Sequence, residues 1–340
     1  MNTMSGKREG LKKTSQEKEV LLETKELSIN FPVKKEMPFQ KQKYLQAVTD
    51  VSLKIYKGET FGLVGESGCG KSTFANATLG LLKPSLGEIR FQGKNMQEAS
   101  KEQLKEMRRC MQKIFQDPGS SLNPRFNVFE LIAEPMVIRG GFSLEERKQK
   151  VLEMLKNVGL NESDLYRYPS DFSGGQQQRI AIARALILEP EYLVCDEPVS
   201  ALDVSVHAQI LNLLMDMQKK MGITYLFISH NLAVVKKICD RIAIMYLGKV
   251  VEYGNADKIF ANPVHPYTKA LISAVLDIDV DAEKKRITLK GDVASPIDPP
   301  LGCRFCKRCP QAEEDCETTS CALVEIEPDH YAACRYWNEL

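Results

Sequence analysis

The stretch GESGCGKST, residues 65–73, has the spacing G-x-x-x-x-G-K-[ST]. Gly65, Gly68 and Gly70 let the backbone turn so that successive N–H groups, Ser67 among them, point inward at anionic oxygens. The helix beginning near Lys71 adds its positive end. The Lys71 ammonium reaches β- and γ-phosphates, the Ser72 hydroxyl suits Mg²⁺, and Thr73 completes the motif. The context is the required one: FGLV before it reads as a buried strand, and STFANATLGLL after it as a helix. Further on, YLVCDEP at 192–198 is an apolar strand ending in two carboxylates. At the carboxyl end of a parallel strand such groups face a nucleotide crevice. Asp196 is then an outer partner of Mg²⁺, and Glu197 the group that accepts a proton from an attacking water.

Between these lies DFSGGQQQR, residues 171–179. Ser173 precedes two glycines and a helical run, which makes a second anion-binding helix start with Ser173 and the Gly175 N–H as donors. If this site lies away from the first, it must meet a nucleotide held by another chain.

A third constellation closes the chain. CRFCKRCPQAEEDC at 303–316, with Cys321 and Cys334, holds six of the ten cysteines. Thiolate-rich sites suit zinc and iron–sulfur clusters alike. Zinc usually shows cysteine pairs at short spacing on both sides, whereas here the second half is stretched. Iron–sulfur, zinc and free thiols all remain open on this reading. Cys69, Cys110, Cys195 and Cys239 fall inside expected elements or the phosphate loop and read as packing residues.

The elements that must position these groups follow from periodicity. Residues 20–60 contain the alternating runs LLETKELSINF and AVTDVSLKIYKGE, which read as strands around a loop. GEIRFQG is another strand. SLEERKQKVLEMLKNVGL opens with Ser143 and carries Glu146 three residues on, a capping box before a helical apolar stripe. From 176 to 260 helix and strand alternate, with RIAIMYLGKVVEYG a hairpin around Gly248. Such alternation predicts an α/β fold with a mostly parallel sheet. Beyond 262, HPYTKALISAV reads as a helix, and GDVASPIDPPLG as a linker into the cysteine tail.

Composition bounds the rest. The chain has 340 residues, 43% of them apolar, and a net charge of +1. That leaves no basic field for nucleic acid. No segment approaches the roughly 20 apolar residues needed to span a bilayer. The charged N-terminus lacks the apolar core of a signal peptide. The expectation is a cytosolic chain with reduced thiols.

Taken in order, these motifs resemble the ATP-binding subunits of ABC transporters. The phosphate loop, Gln116 in IFQDP, the signature FSGGQ at 172–176, YLVCDEP, SALD at 200–203 and His230 in LFISHN all occur in the family's sequence. Phe172 stands where leucine is usual. The resemblance covers residues 20–260. It implies an ABC-type nucleotide-binding domain: a parallel-sheet ATPase core, an antiparallel β subdomain and a helical subdomain near 117–175. It further implies a flexible tail at 1–19, the ATPase domain over 20–262 and a cysteine-rich extension over 263–340. The implied cofactors are ATP and Mg²⁺, in a head-to-tail dimer. Lys71, Ser72, Thr73, Gln116, Asp196, Glu197 and His230 would line one site, with Ser72, Gln116 and Asp196 serving the metal. Ser173, Gly174, Gly175 and Gln176 would reach the partner's nucleotide, and Asp203 would couple the two sites. For the aromatic residue that stacks on adenine, Tyr44 is the candidate, with Phe31 and Phe39 as alternatives.

Several segments, IFQDPGSSLNPR, CDEPVSALDVSVHAQILNLL and NPVHPYTKAL among them, are similar to the dipeptide and oligopeptide importer branch. That implies a second, related ATPase as partner, two membrane permeases, an extracytoplasmic solute-binding protein and a place at the cytoplasmic face of the membrane. A metal-chelate or glutathione importer uses similar ATPases. A soluble ABC ATPase acting on nucleic acid is the rival class, but the chain has one ATPase unit, no heptads and a net charge of +1. In this branch the tail pattern is associated with a [4Fe–4S] cluster, and by that resemblance its ligands are Cys303, Cys309, Cys316 and Cys334. Cys306 and Cys321 depart from the pattern, and zinc is the alternative metal.

Overall fold

A computed structural model describes residues 18–35, 39, 41–274, 287–289, 291 and 294–338. Of the tail expected at 1–19, residues 1–17 lie outside them. Along the chain run β1 (Val20–Pro32), β2 (Tyr44–Tyr56), β3 (Thr60–Val64), α1 (Lys71–Thr78), β4 (Leu86–Phe91) and β5 (Lys94–Asn95). Then come α2 (Lys101–Arg109), β6 (Met111–Ile114), α3 (Pro118–Ser121), α4 (Val128–Arg139), α5 (Leu144–Asn157) and α6 (Gly174–Leu186). The second half adds β7 (Tyr192–Asp196), α7 (Val204–Met221), β8 (Thr224–Ser229), α8 (Leu232–Ile238), β9 (Arg241–Tyr246) and β10 (Lys249–Asn255). It ends with α9 (Ala256–Ala261), α10 (Pro266–Ser273), β11 (Val324–Glu327) and β12 (His330–Ala332).

Two sheets result. One is antiparallel, in the order β2-β1-β4-β5. The other runs β11-β12-β10-β9-β3-β8-β7-β6. Its stretch from β9 to β6 is parallel, and β10, β12 and β11 add antiparallel strands. The central strands TFGLV, YLVCD and TYLFIS are buried at every position, as strands covered on both faces must be. Their alternate side chains feed two cores. Leu63, Val194, Leu226 and Ile228 pack with α1 and the antiparallel sheet. Val64, Leu193, Cys195 and Phe227 pack with the helical region from Ile114 to Leu186.

Local chemistry sets the helix starts. Ser143 and Glu146 exchange hydrogen bonds of 2.7 and 3.2 Å at the head of α5. Leu247 and Gly248, at φ 44° and 83°, make the two-residue turn of the β9–β10 hairpin.

The segment after 263 does not stand apart from the ATPase unit. His330–Ala332 pairs with Glu252–Gly254, so the tail extends the main sheet. Tyr253 stacks on Tyr331 at 4.6 Å. His330 Nε2 lies 2.7 Å from Glu252 Oε1, both side chains being fully buried. Upstream, the Gln46 N–H donates to the Pro296 carbonyl at 3.0 Å, which draws the linker against β2. The sequence signal for β11 and β12 was the short alternation in VEIE and HYA, which no expectation used.

Candidate active site

At the carboxyl ends of the parallel strands lies a cleft lined by Ser67, Gly68, Gly70, Lys71, Ser72, Thr73, Gln116, Glu197 and His230. Phe31, Leu45, Gln46, Ala47, Leu247, Gly248 and Pro296 line it as well. Gly70 shows why the phosphate loop needs glycine. Its φ is 107°, and a Cβ there would fall 2.1 Å from the Ala47 carbonyl oxygen. Lys71 is 5% exposed, and its Nζ donates to the Gly65 and Glu66 carbonyls at 2.7 and 2.9 Å. Burial pushes the Cys69 thiol up, against the pull of that ammonium.

The two strand-end carboxylates differ in surroundings. Asp196 sits behind the cleft wall, where Ser72 Oγ donates to Oδ1 at 3.2 Å and Lys113 Nζ lies 2.9 Å from Oδ2. Glu197 faces the cleft. Gln116 Nε2 donates to its Oε2 at 3.1 Å, and His230 Nδ1 stands 3.2 Å from its Oε1. Its backbone adopts φ 48°, outside the strand geometry that Asp196 still follows. Gln116, Glu197 and His230 come from the ends of three different strands, yet they meet at one carboxylate. Lys113 is the residue that sequence reasoning missed. Its signal was a lysine inside a short strand that is otherwise mostly buried.

Phe31 lines the cleft, and Tyr44 is not among its lining residues. Phe31 and Leu45 are register partners and share a face of the hairpin, whereas Tyr44 pairs with Pro32 one position away. Phe39 is fully exposed.

The signature residues are not part of this cleft. Ser173 caps α6, exchanging hydrogen bonds of 3.0 and 3.4 Å with Gln176. Gly174 and Gly175 pack against the start of α7. A Cβ on Gly175 would fall 2.6 Å from Val206 Cγ1. Asp203 is exposed at the N-cap of α7 and makes no side-chain cap bond. Phe172 is buried under the Arg167 guanidinium, 4.5 Å above its ring, so the larger side chain is absorbed in the helical core. None of Ser173, Gly174, Gly175 and Gln176 lines this cleft.

In the tail, all six cysteines line one small cavity together with His265, Phe305 and Tyr336. All are free thiols. Burial pushes Cys303 up to about 12 and raises Cys306, Cys309, Cys321 and Cys334. Among the described residues, no group of three Cys, His, Asp or Glu side chains is arranged to hold a single metal ion. Nor is any described helix long and apolar enough to cross a membrane.

Known proteins carry the same features. Residues 48–200 match the family model described as ABC transporter, and residues 251–316 match the C-terminal region of oligopeptide/dipeptide transporters. The oligopeptide transport ATP-binding protein OppF of Haemophilus influenzae is 50% identical over 325 residues, covering 94% of this chain and 98% of that protein. OppF of Salmonella typhimurium is 50% identical over 324 residues, covering 94% and 97%. Among solved structures, a dimeric ATP-binding cassette in a post-hydrolysis state with ADP and Pi superposes with a TM-score of 0.61. It is 30% identical and covers 69% of this chain and 99% of that one.

Proposed function

The chain belongs to the ATP-binding subunits of ABC transporters, and from that membership we propose that it hydrolyses ATP to power import of oligopeptides or dipeptides. The observation that carries this reading is Glu197, held between Gln116 and His230 on the same cleft as Lys71 and Ser72. The phosphates of ATP lie along the N–H groups of residues 65–73. Lys71 exchanges the Gly65 and Glu66 carbonyls for phosphate oxygens. Ser72 and Gln116 serve Mg²⁺, with Asp196 behind them, and Phe31 stacks on adenine. Glu197 takes a proton from the attacking water, while Gln116 and His230 fix its carboxylate. Catalysis is positioning and electrostatics, as phosphoryl transfer requires.

Because Ser173–Gln176 do not line this cleft, they serve, on this reading, the nucleotide of a second ATPase chain in a head-to-tail pair. Asp203 adjoins them. A related but distinct ATPase is the proposed partner. Two permeases complete the complex, docking at the groove that contains Phe115, Ile138, Arg139 and Arg184, next to Gln116. A solute-binding protein delivers substrate from outside, and the subunit is peripheral on the cytoplasmic face.

We also propose that Cys303, Cys309, Cys316 and Cys334 hold a [4Fe–4S] cluster. Support comes from the donor set, six thiols on one cavity. The thiols must lose protons and draw in to bind it. When bound, the group cross-links a segment too small to hold itself by its own core. Anaerobic purification with iron and sulfide analysis decides. Equal iron and acid-labile sulfide are expected, and colourless protein with zinc alone contradicts the assignment.

The transport reading is tested by reconstituting the full complex with its binding protein. ATP hydrolysis stimulated by peptides is the expected result. Stimulation by a metal chelate or glutathione alone overturns the peptide assignment.

A further inference from the structure

The turn that carries Cys303, Cys306 and Cys309 touches the nucleotide cleft at two places. Arg308 Nη1 donates to both carboxylate oxygens of Glu66, at 2.9 and 3.2 Å. Glu66 is the second residue of the phosphate loop. Its carbonyl receives Lys71 Nζ, and its N–H donates to the Tyr267 hydroxyl at 3.1 Å. Glu66 is thus gripped at the backbone by α10 and at the side chain by the tail. Arg308 is largely buried, its guanidinium 5.8 Å from the Tyr246 ring centroid. Four residues earlier, buried Arg304 donates to the Leu247 carbonyl, the Gln46 side-chain oxygen and the Thr49 hydroxyl. Gln46 and Leu247 also line the cleft. Between the two arginines, Phe305 is 1% exposed and packs on Tyr246 and Tyr267 at 5.2 and 5.3 Å.

We propose that Arg308 is a positioning residue for the phosphate loop, acting through Glu66, and that packing of the cysteine turn and binding of nucleotide are thereby coupled. Arg304 holds the cleft-lining residues Gln46 and Leu247 in the same way. Neither arginine reaches the reacting atoms. The ion pair fixes the residue whose carbonyl holds Lys71, and Lys71 must move from that carbonyl to phosphate. A coupling free energy is reciprocal: whatever loosens the turn weakens nucleotide binding, and nucleotide in turn tightens the turn. The inference rests on the reading that this cleft binds ATP.

The test uses the full-length protein with Mg²⁺ and a fluorescent ATP analogue, in wild type, Arg308→Met, Glu66→Gln and the double variant. Arg308→Met is expected to weaken binding about tenfold, within the usual range of coupling factors. In the Glu66→Gln background the same change should add less, because the charge pairing is already gone. Arg308→Lys should recover part of the affinity. In parallel, hydrogen exchange of residues 303–309 should slow on adding ATP in wild type and not in Arg308→Met. If Arg308→Met merely unfolded the tail, its effect would persist undiminished beside Glu66→Gln, and that result overturns the inference. So does equal protection by ATP in wild type and Arg308→Met. A wild-type protein that binds no analogue at all overturns the ATP reading itself and the inference with it.

Discussion

Lys113 and Asp196 form an ion pair at 2.9 Å, with each side chain only 10% exposed. The lysine also donates to Asn76 Oδ1 at 3.0 Å, so its position is fixed from two sides. Asp196 therefore has one oxygen on a cation and the other on the Ser72 hydroxyl, the group proposed above to serve Mg²⁺. Lys113→Met leaves a nearly buried carboxylate without its cation, at a cost of about 3 kcal/mol. Mg²⁺–ATP brings positive charge to the same carboxylate. Urea unfolding should thus show a larger stabilisation by Mg²⁺–ATP in Lys113→Met than in wild type. Equal stabilisation in both would break the link between Lys113 and the metal site.

Gly175 has no room for a Cβ because Val206 stands against it. Gly175→Ala should lower the melting temperature through a cost of about 1–3 kcal/mol. Val206→Ala in the same chain should restore most of it. A double variant no more stable than Gly175→Ala would place the strain elsewhere.

The tail should hold pH-dependently. His330 faces Glu252 and Glu327, and these carboxylates raise its pKa above the ordinary value despite the opposing effect of burial. A histidine with a raised folded pKa contributes fully below its unfolded pKa, and the contribution fades as pH rises through the folded value. His265, also against Glu252, works in the opposite direction. Burial lowers it to about 4, so its share is present above about 6.5 and is lost as pH falls toward 4. His330→Gln should therefore cost more stability at pH 6 than at pH 9, measured by chemical unfolding at both. An equal loss at the two pH values would show that the pair acts by packing alone.

The linear motifs were legible because each is a local device: a glycine turn before a helix, a carboxylate at a strand end, a serine at a helix start. What escaped depends on long-range register. Phe31 rather than Tyr44 faces the cleft because bulged pairing between β1 and β2 sets which face each aromatic takes. Lys113 matters only because β6 lies beside β7 in parallel. Arg304 and Arg308 sit in the cysteine-rich turn, where no local motif points to their partners. Their partners, Gln46 and Glu66, lie more than two hundred residues upstream. Such pairs follow from how the tail docks, and no periodicity in the chain encodes that.

The central claim is that Glu197 is the general base of a shared ATP site. Hydrolysis by the assembled complex, measured with wild type and Glu197→Gln beside ATP binding, tests it most directly. The account predicts that hydrolysis at sites using this chain's Glu197 falls by about a hundredfold or more while ATP still binds. Unchanged hydrolysis with intact binding would contradict it.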